Sequence, residues 1–247
     1  MTTLKIMFIG QKKVGKTTLV RYICDNSQEI VQSNRPCSVY IIPGADTIDP
    51  DVLKIPIDQT RDIEIGAPGG FIDMDQVQSD KREIIDAKIL NALKKKNTVF
   101  IFCFSLATVN LDTKRNGIHS VLKNQIKLFE MYFKRGGINI FKIITKKPII
   151  FFNKFDLFVQ NNHNKIKRYI EENNIHIDDN QNLVGVAQSI VEDKINEEKT
   201  AIHKFMRGFF IENRYFLTCA NIEVQQNIEA FHKYQNNILK GIRTIIK

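Results

Sequence analysis

Apolar positions along this chain fall into short continuous runs separated by longer stretches in which they recur every three or four residues. Leu4–Ile9, Val99–Phe104 and Ile149–Phe152 are runs of the kind that become buried strands. Strands are expected at 3–9, 38–42, 52–57, 61–66, 98–105, 148–152 and 214–218, and helices at 16–25, 81–96, 115–134, 163–173, 187–207 and 223–245. Such alternation implies an α/β fold, a mostly parallel sheet with helices on both faces. The consecutive pair 52–57 and 61–66 reads as an antiparallel hairpin at one edge. In the last helix Val224, Ile228, Phe231, Gln235, Ile238, Ile242 and Ile245 recur at intervals of three and four. Most of that stripe is expected to pack on the sheet. The interval 171–200 is acidic and polar, with Glu171, Glu172, Asp178, Asp179, Glu192, Asp193, Glu197 and Glu198. It reads as a solvated excursion, with an effector surface as the alternative.

Composition narrows the class. A chain of 247 residues with 43% hydrophobic content suits one domain with a substantial core. No apolar run approaches the ~20 residues of a transmembrane helix, and the N-terminal run, interrupted by Lys5, is too short for a signal peptide. Cys24, Cys37, Cys103 and Cys219 have no metal-site spacing, which points to a reduced, cytoplasmic protein without zinc. The net charge is +9, with basic runs at 94–96, 142–147 and 165–168. These read as solvated faces, with contact to an acidic partner or a membrane surface as the alternative. No zinc-finger or aromatic-basic pattern suggests nucleic acid. The five histidines are scattered and form no ligand set.

Three segments carry chemistry. Gly10 to Thr17, GQKKVGKT, fits G-x-x-x-x-G-K-[ST] between a predicted strand and a predicted helix. A loop in that place aims backbone N–H groups and the positive end of a helix at phosphate. Lys16 would reach the β- and γ-phosphates and the Thr17 hydroxyl would bind Mg²⁺. The flanks weigh against a chance match. Asn153-Lys154-Phe155-Asp156 follows the apolar strand 148–152. A carboxylate there can accept two parallel hydrogen bonds, a pair that guanine offers through its ring N1–H and exocyclic amine and adenine does not. Asp156 is therefore the candidate guanine reader, with the Lys154 stem over the base and Asn153 tying the loops together. Thr218-Cys219-Ala220 ends the last strand, where a small residue would let a backbone N–H approach the guanine carbonyl. Taken alone, that segment is equally a strand turning into a helix.

Together these segments resemble the Ras-like P-loop GTPase superfamily, and within it the heterotrimeric G-protein α subunits. The likeness is strongest at Val99–Ser105, Ile149–Phe158 and Leu217–Gln225. The 62 positions from Asp156 to Thr218 are too many for a small Ras or Arf protein and suit an α-subunit-like insertion at 157–213. The resemblance implies one Ras-like domain over 1–247 with a six-stranded sheet, a divergent switch region at 26–97, and GTP or GDP bound with Mg²⁺. It places GTP at Lys12, Lys13, Val14, Gly15, Lys16, Thr17, Thr18, Gly69, Asn153, Lys154, Asp156, Cys219 and Ala220, and the metal at Thr17 and Thr47. Receptors or exchange factors and effectors would be the partners.

The departures concern catalysis. Only 31 positions separate Lys16 from Thr47, so no α-subunit helical domain is expected, and with the phosphate loop starting at Gly10 the N-terminal helix through which α subunits bind βγ is not expected either. Gly66 stands where the family has a metal-shell Asp, Gly70 where a Gln orients the attacking water, and Gly44 where α subunits carry an arginine finger. Such an arginine contributes ~10³–10⁵ in rate, so slow or partner-dependent hydrolysis is expected. A module that holds GTP without hydrolysing it, or a pseudoGTPase scaffold, is the alternative. Lys12 or Arg61 could restore part of the lost charge, and Glu64, Asp73 or Asp75 the carboxylate, although surface acids are the plainer reading of those three.

Overall fold

The computed structural model describes residues 2–11, 13–30, 38–40, 51–56, 61–67, 98–111, 117–135, 148–175, 180–197, 214–222 and 228–246. Seven strands form one sheet: β1 (Thr2–Gly10), β2 (Ser38–Tyr40), β3 (Asp51–Pro56), β4 (Arg61–Ala67), β5 (Thr98–Ser105), β6 (Ile149–Asn153) and β7 (Tyr215–Leu217). Their order is β2-β3-β4-β1-β5-β6-β7. Pairing is parallel from β4 through β1, β5 and β6 to β7, and antiparallel between β2 and β3 and between β3 and β4. The expected class and edge hairpin therefore hold, and the sheet has the seven strands that the apolar runs predict rather than the six that the resemblance implies. β2, expected at 38–42, pairs Ser38 with Lys54 and Tyr40 with Val52 along the outer edge of the hairpin.

Seven helices lie among the described residues: α1 (Lys16–Asp25), α2 (Ser27–Ile30), α3 (Ile118–Arg135), α4 (Phe155–Asn161), α5 (His163–Glu172), α6 (Asn180–Asn196) and α7 (Ile228–Ile246). The predicted helix at 81–96 and the part of 187–207 beyond 197 lie outside them.

The sheet is buried on both sides because alternate residues of its central strands are apolar in both phases. Phe100, Phe102, Phe104, Ile150 and Phe152 join Leu122, Ile126 and Phe129 of α3 and Phe155 and Phe158 of α4 in one core. Ile6, Phe8, Ile101, Cys103, Ile149 and Phe151 face the other way, against Leu19, Val20 and Ile23 of α1 and Ile238 and Ile242 of α7. Aromatic rings fill the first core edge-on and stacked, Phe102 lying 5.0 Å from Phe129 and Phe104 5.5 Å from Phe152.

Two expectations are corrected here. The interval 171–200 is not simply a solvated excursion: Leu183, Val184, Ala187, Ile190, Val191 and Ile195 of α6 are buried in the first core. Its acids Asp193, on α6, and Glu197, just past its end, are exposed, so one segment is acidic outside and apolar inside. In α7, Phe231, Ile238 and Ile242 are buried as the stripe requires, but Ile228 is 47% exposed at the first turn. Tyr234, Leu239 and Gly241 complete the buried face instead. Gly241 is there for space, since a Cβ would lie 2.5 Å from the Phe151 ring. Ile245 and Ile246 pack, half-buried, against the second core.

Candidate functional site

The phosphate-loop candidate sits where β1 runs into α1. Gly10 is the last residue of β1 and pairs with Cys103 of β5. A Cβ on Gly10 would lie 2.5 Å from the Cys103 carbonyl oxygen, so the two backbones can approach this closely only with glycine. The chain then bends through Lys13 at φ 66° and Gly15 at φ 91°, both left-handed. Gly15 is the residue before α1, and no side chain caps that helix. The N–H groups of its first turn, from Lys16, Thr17 and Thr18, therefore open into the loop with no partner inside the helix. Val14 is buried and anchors the loop in the second core.

Lys16 is only 7% exposed and turns back over the loop. Its Nζ donates to the carbonyl oxygens of Gly10, at 3.0 Å, and Gln11, at 2.8 Å. Burial lowers its pKa to about 8, opposed by the neighbouring Cys103 sulfur. The Cys103 thiol is itself pushed up to about 12 by burial, so it is neutral at physiological pH.

The base-reading candidate lies at the end of β6, two strands away. Lys154 takes a left-handed conformation, φ 63°, and starts α4 directly. Asp156 thus lies in the first turn of a helix rather than in an open loop after a strand, where the helix dipole favours its negative charge. It is 1% exposed. Beside it, burial and the Asp156 charge both hold the Cys219 thiol well above its ordinary range.

Asn153 joins the two ends. Its Nδ2 donates to the Val14 carbonyl oxygen at 2.8 Å, and its Oδ1 accepts from Thr218 Oγ1 at 3.3 Å. The amide is 2% exposed and lies so close to Gly15 that a Cβ there would approach Nδ2 to 2.5 Å. The backbone at 153–155 and 217–220 is stitched as well, Phe155 N donating to Thr218 O and Thr218 N to Phe152 O. α7 holds the other side of this last loop: Asn237 Nδ2 donates to Leu217 O and Gln235 Nε2 to Ala220 O. Val14, Gly15 and Lys16, Asn153, and Thr218 to Ala220 therefore form one connected edge at the carboxyl ends of β1, β6 and β7. This is where a doubly wound sheet places ligands.

Of the other predicted positions, Thr17 and Thr18 are half-buried in α1 and Gly66 lies in β4, opposite Met7 of β1 and Val52 of β3. Lys12, Gly44, Thr47, Gly69, Gly70, Asp73 and Asp75 lie outside the described residues. Sequence reasoning missed two amides that shape the neighbouring loop. Gln125 of α3 is buried and clamps Ser105 at the end of β5, accepting from its N–H at 2.9 Å and donating to its carbonyl at 3.1 Å. Asn162, between α4 and α5, donates to Val109 O and Phe158 O and accepts from Leu111 N. Both sit in stretches where Asn and Gln are too frequent to stand out.

No protein-family model matches this chain and no curated protein matches it. Among solved structures, a GTP-binding protein from the hyperthermophilic archaeon Sulfolobus solfataricus, in complex with GDP, is similar at 11% identity and TM-score 0.47. That match covers 99% of this chain and 53% of that one. A point variant of SsGBP is similar at 15% identity and TM-score 0.49, over 99% and 55%. The FeoB G-domain from Methanococcus jannaschii is similar at 14% identity and TM-score 0.38, over 97% and 99%. The chain thus spans about half the length of the first two. At these scores the fold rests on its own strand order and register: a doubly wound α/β unit that opens with a strand, a glycine-bounded loop and a helix. No helix among the described residues is long and apolar enough to cross a membrane.

Proposed function

We propose that this chain binds GTP and GDP as a signalling switch resembling the G-protein α subunits, with slow or partner-dependent hydrolysis. The observation that carries the reading is the Asn153 bridge. One buried amide ties the phosphate-loop candidate to the two loops that would hold a guanine, so both halves of a nucleotide would meet a single preorganised edge. In this reading the first-turn N–H groups of α1 and the Lys16 ammonium take the phosphates. The Asp156 carboxylate accepts the guanine N1–H and amine, and a backbone N–H near Cys219 and Ala220 meets the guanine carbonyl. Lys154 covers the base, and Thr17 and Thr47 are the oxygens that the resemblance assigns to Mg²⁺. The Gα lineage is supported by the segments at 99–105, 149–158 and 217–225 and by the length of 157–213. Receptors or exchange factors and effectors follow as partners from that lineage.

A second reading, a module that retains GTP unhydrolysed, is favoured by Gly44, Gly66 and Gly70. Glycine can neither stabilise transition-state charge nor orient water. Single-turnover hydrolysis separates the two. The protein is loaded with GTP, quenched over hours, and its nucleotides separated. Steady conversion to GDP supports the switch, and bound GTP that persists supports the module. Failure to retain any guanine nucleotide refutes both and leaves a pseudoGTPase scaffold.

A further inference from the structure

Helix α6, within the 157–213 interval, reaches the base-reading segment through Tyr234 of α7. The Tyr234 hydroxyl donates to Gln188 Oε1 of α6 at 2.8 Å. Lys233 Nζ donates to the same oxygen at 3.2 Å and lies 5.6 Å from the centre of the Tyr234 ring. Gln188 in turn donates from Nε2 to Glu192 Oε1, one turn along α6, at 2.7 Å. That bond fixes which end of the amide faces Tyr234. Burial, with the Glu192 charge nearby, holds the Tyr234 hydroxyl well above the ordinary tyrosine range, so it stays a donor.

The ring of Tyr234 lies 4.5 Å from that of Phe155. Phe155 is fully buried, with Phe158 stacked on it at 5.9 Å and Phe231 edge-on at 6.4 Å. It sits between Lys154, whose left-handed conformation starts α4, and Asp156, in the first turn of that helix. Its backbone N–H donates to Thr218 O. A ring held among three others shifts only with the turn that carries Asp156, because close packing leaves no slack. A carboxylate that accepts two parallel bonds tolerates little tilt: a small rotation keeps one bond and loses the other.

Resting on the guanine-nucleotide reading above, we infer that Tyr234 is a positioning residue for the Asp156 carboxylate, and that α6, through Gln188, sets how tightly the base is held. The link ends at Phe155, so its effect falls on the base rather than on the phosphates. Helix α6 is then a control element for the nucleotide edge as well as part of the core.

The test compares three probes on the nucleotide-stripped full chain: GTP, inosine triphosphate, which lacks the exocyclic amine, and tripolyphosphate, which has no base. Wild type should prefer GTP to inosine triphosphate by about tenfold. Tyr234→Phe keeps the ring and removes the hydroxyl. It should weaken GTP about fivefold, and inosine triphosphate and tripolyphosphate by less than about twofold. Gln188→Leu leaves the buried hydroxyl without its acceptor, so it should narrow the base preference at least as far. The double variant should be no worse than Gln188→Leu alone, because both changes break one link. Variants whose urea midpoint falls while the preference for GTP stays at the wild-type value overturn the inference, as does a double variant whose losses multiply. Either result leaves the guanine reading standing. A wild-type chain that binds GTP no better than inosine triphosphate overturns the inference together with the reading on which it rests. Gln188 is only half-buried, so Gln188→Leu decides the matter even if Tyr234→Phe fails to fold.

Discussion

Replacing Asn153 with Ala probes the joint on which the site depends. The substitution removes the 2.8 Å bond to Val14 O and the 3.3 Å bond from Thr218 Oγ1. Both lie in a buried setting, since Asn153 is 2% exposed and Thr218 is fully buried. A neutral buried bond contributes about 1 kcal/mol, and a buried acceptor left without its partner costs about 1–3 kcal/mol more. The longer Thr218 bond adds little. The total is about 2–4 kcal/mol, or roughly 4–16 °C in melting temperature for a chain of this size. If half of that cost falls on keeping the loop in its left-handed bend, guanine-nucleotide affinity drops roughly 5- to 30-fold.

Two companion variants divide the effect. Thr218→Val removes only the weaker bond and should cost under about 1 kcal/mol with near-normal affinity. Asn153→Asp keeps an oxygen for Thr218 but turns the donor facing Val14 O into an acceptor, so it should bind worse than Asn153→Ala. Urea unfolding of the free protein and titration with a fluorescent guanine nucleotide read the two consequences separately. An Asn153→Ala protein that is less stable yet binds within threefold of wild type would refute the reasoning, because the bridge would then serve the fold alone.

Other consequences are as direct. Asp156→Asn trades a double acceptor for one acceptor and one donor, so GTP binding should fall at least about tenfold while a xanthine nucleotide, which carries a carbonyl at that edge, gains; competition between the two triphosphates checks it. Lys16 is charged in the unfolded chain up to pH 10.5 but loses its proton in the folded one near 8. The unfolded state therefore binds more protons above that point, and stability of the free protein should rise by about 1 kcal/mol between pH 8 and 9. Above pH 9 the buried Cys103, raised from 9.0 to about 12, opposes the trend. Lys16→Met should abolish the rise, which pH-dependent urea unfolding measures, and nucleotide affinity should fall over the same interval because the phosphates need the charged form. Gly241→Ala gains about 1 kcal/mol of helix propensity but drives a Cβ to within 2.5 Å of Phe151. A net loss of about 1–2 kcal/mol is expected in urea unfolding.

The fold was most legible where local chemistry and burial agree. Strand β5 and helix α1 fall at their predicted residues because apolar runs bounded by Ser105 and by Gly15 leave little freedom. Helix α4 was not predicted. Asn153 to Asp156 reads as a loop after the strand, and nothing in a lysine announces that Lys154 takes the left-handed conformation that starts a helix. Helix α6 begins at Asn180, seven residues before its predicted start, because Gly185 interrupts the periodicity of a stripe that is continuous in space. The amide clamps of Gln125 and Asn162 depend on which backbone groups a tertiary approach leaves unpaired, and spacing along one chain does not carry that information.

The same contrast separates the two ends of the site. At the phosphate end, the glycines are dictated by crowding that a sequence displays only as a motif: Gly10 against the Cys103 carbonyl, Gly15 against the Asn153 amide. At the base end, the necessity lies in a chain of partners, from Val14 through Asn153 to Thr218, and from Leu217 and Ala220 to Asn237 and Gln235 of α7. Every one of these bonds holds a loop in place, and none of them depends on residues 44 or 70, where the catalytic Arg and Gln of the resembling family would stand. Substitutions at those two positions can therefore remove hydrolysis without loosening the bonds that would hold a nucleotide. On the guanine-nucleotide reading proposed above, a chain in which the groups for transfer are glycine while the loops for binding remain tied would keep its ligand longer than it turns it over, so occupancy after long incubation is a more diagnostic measurement than the initial rate.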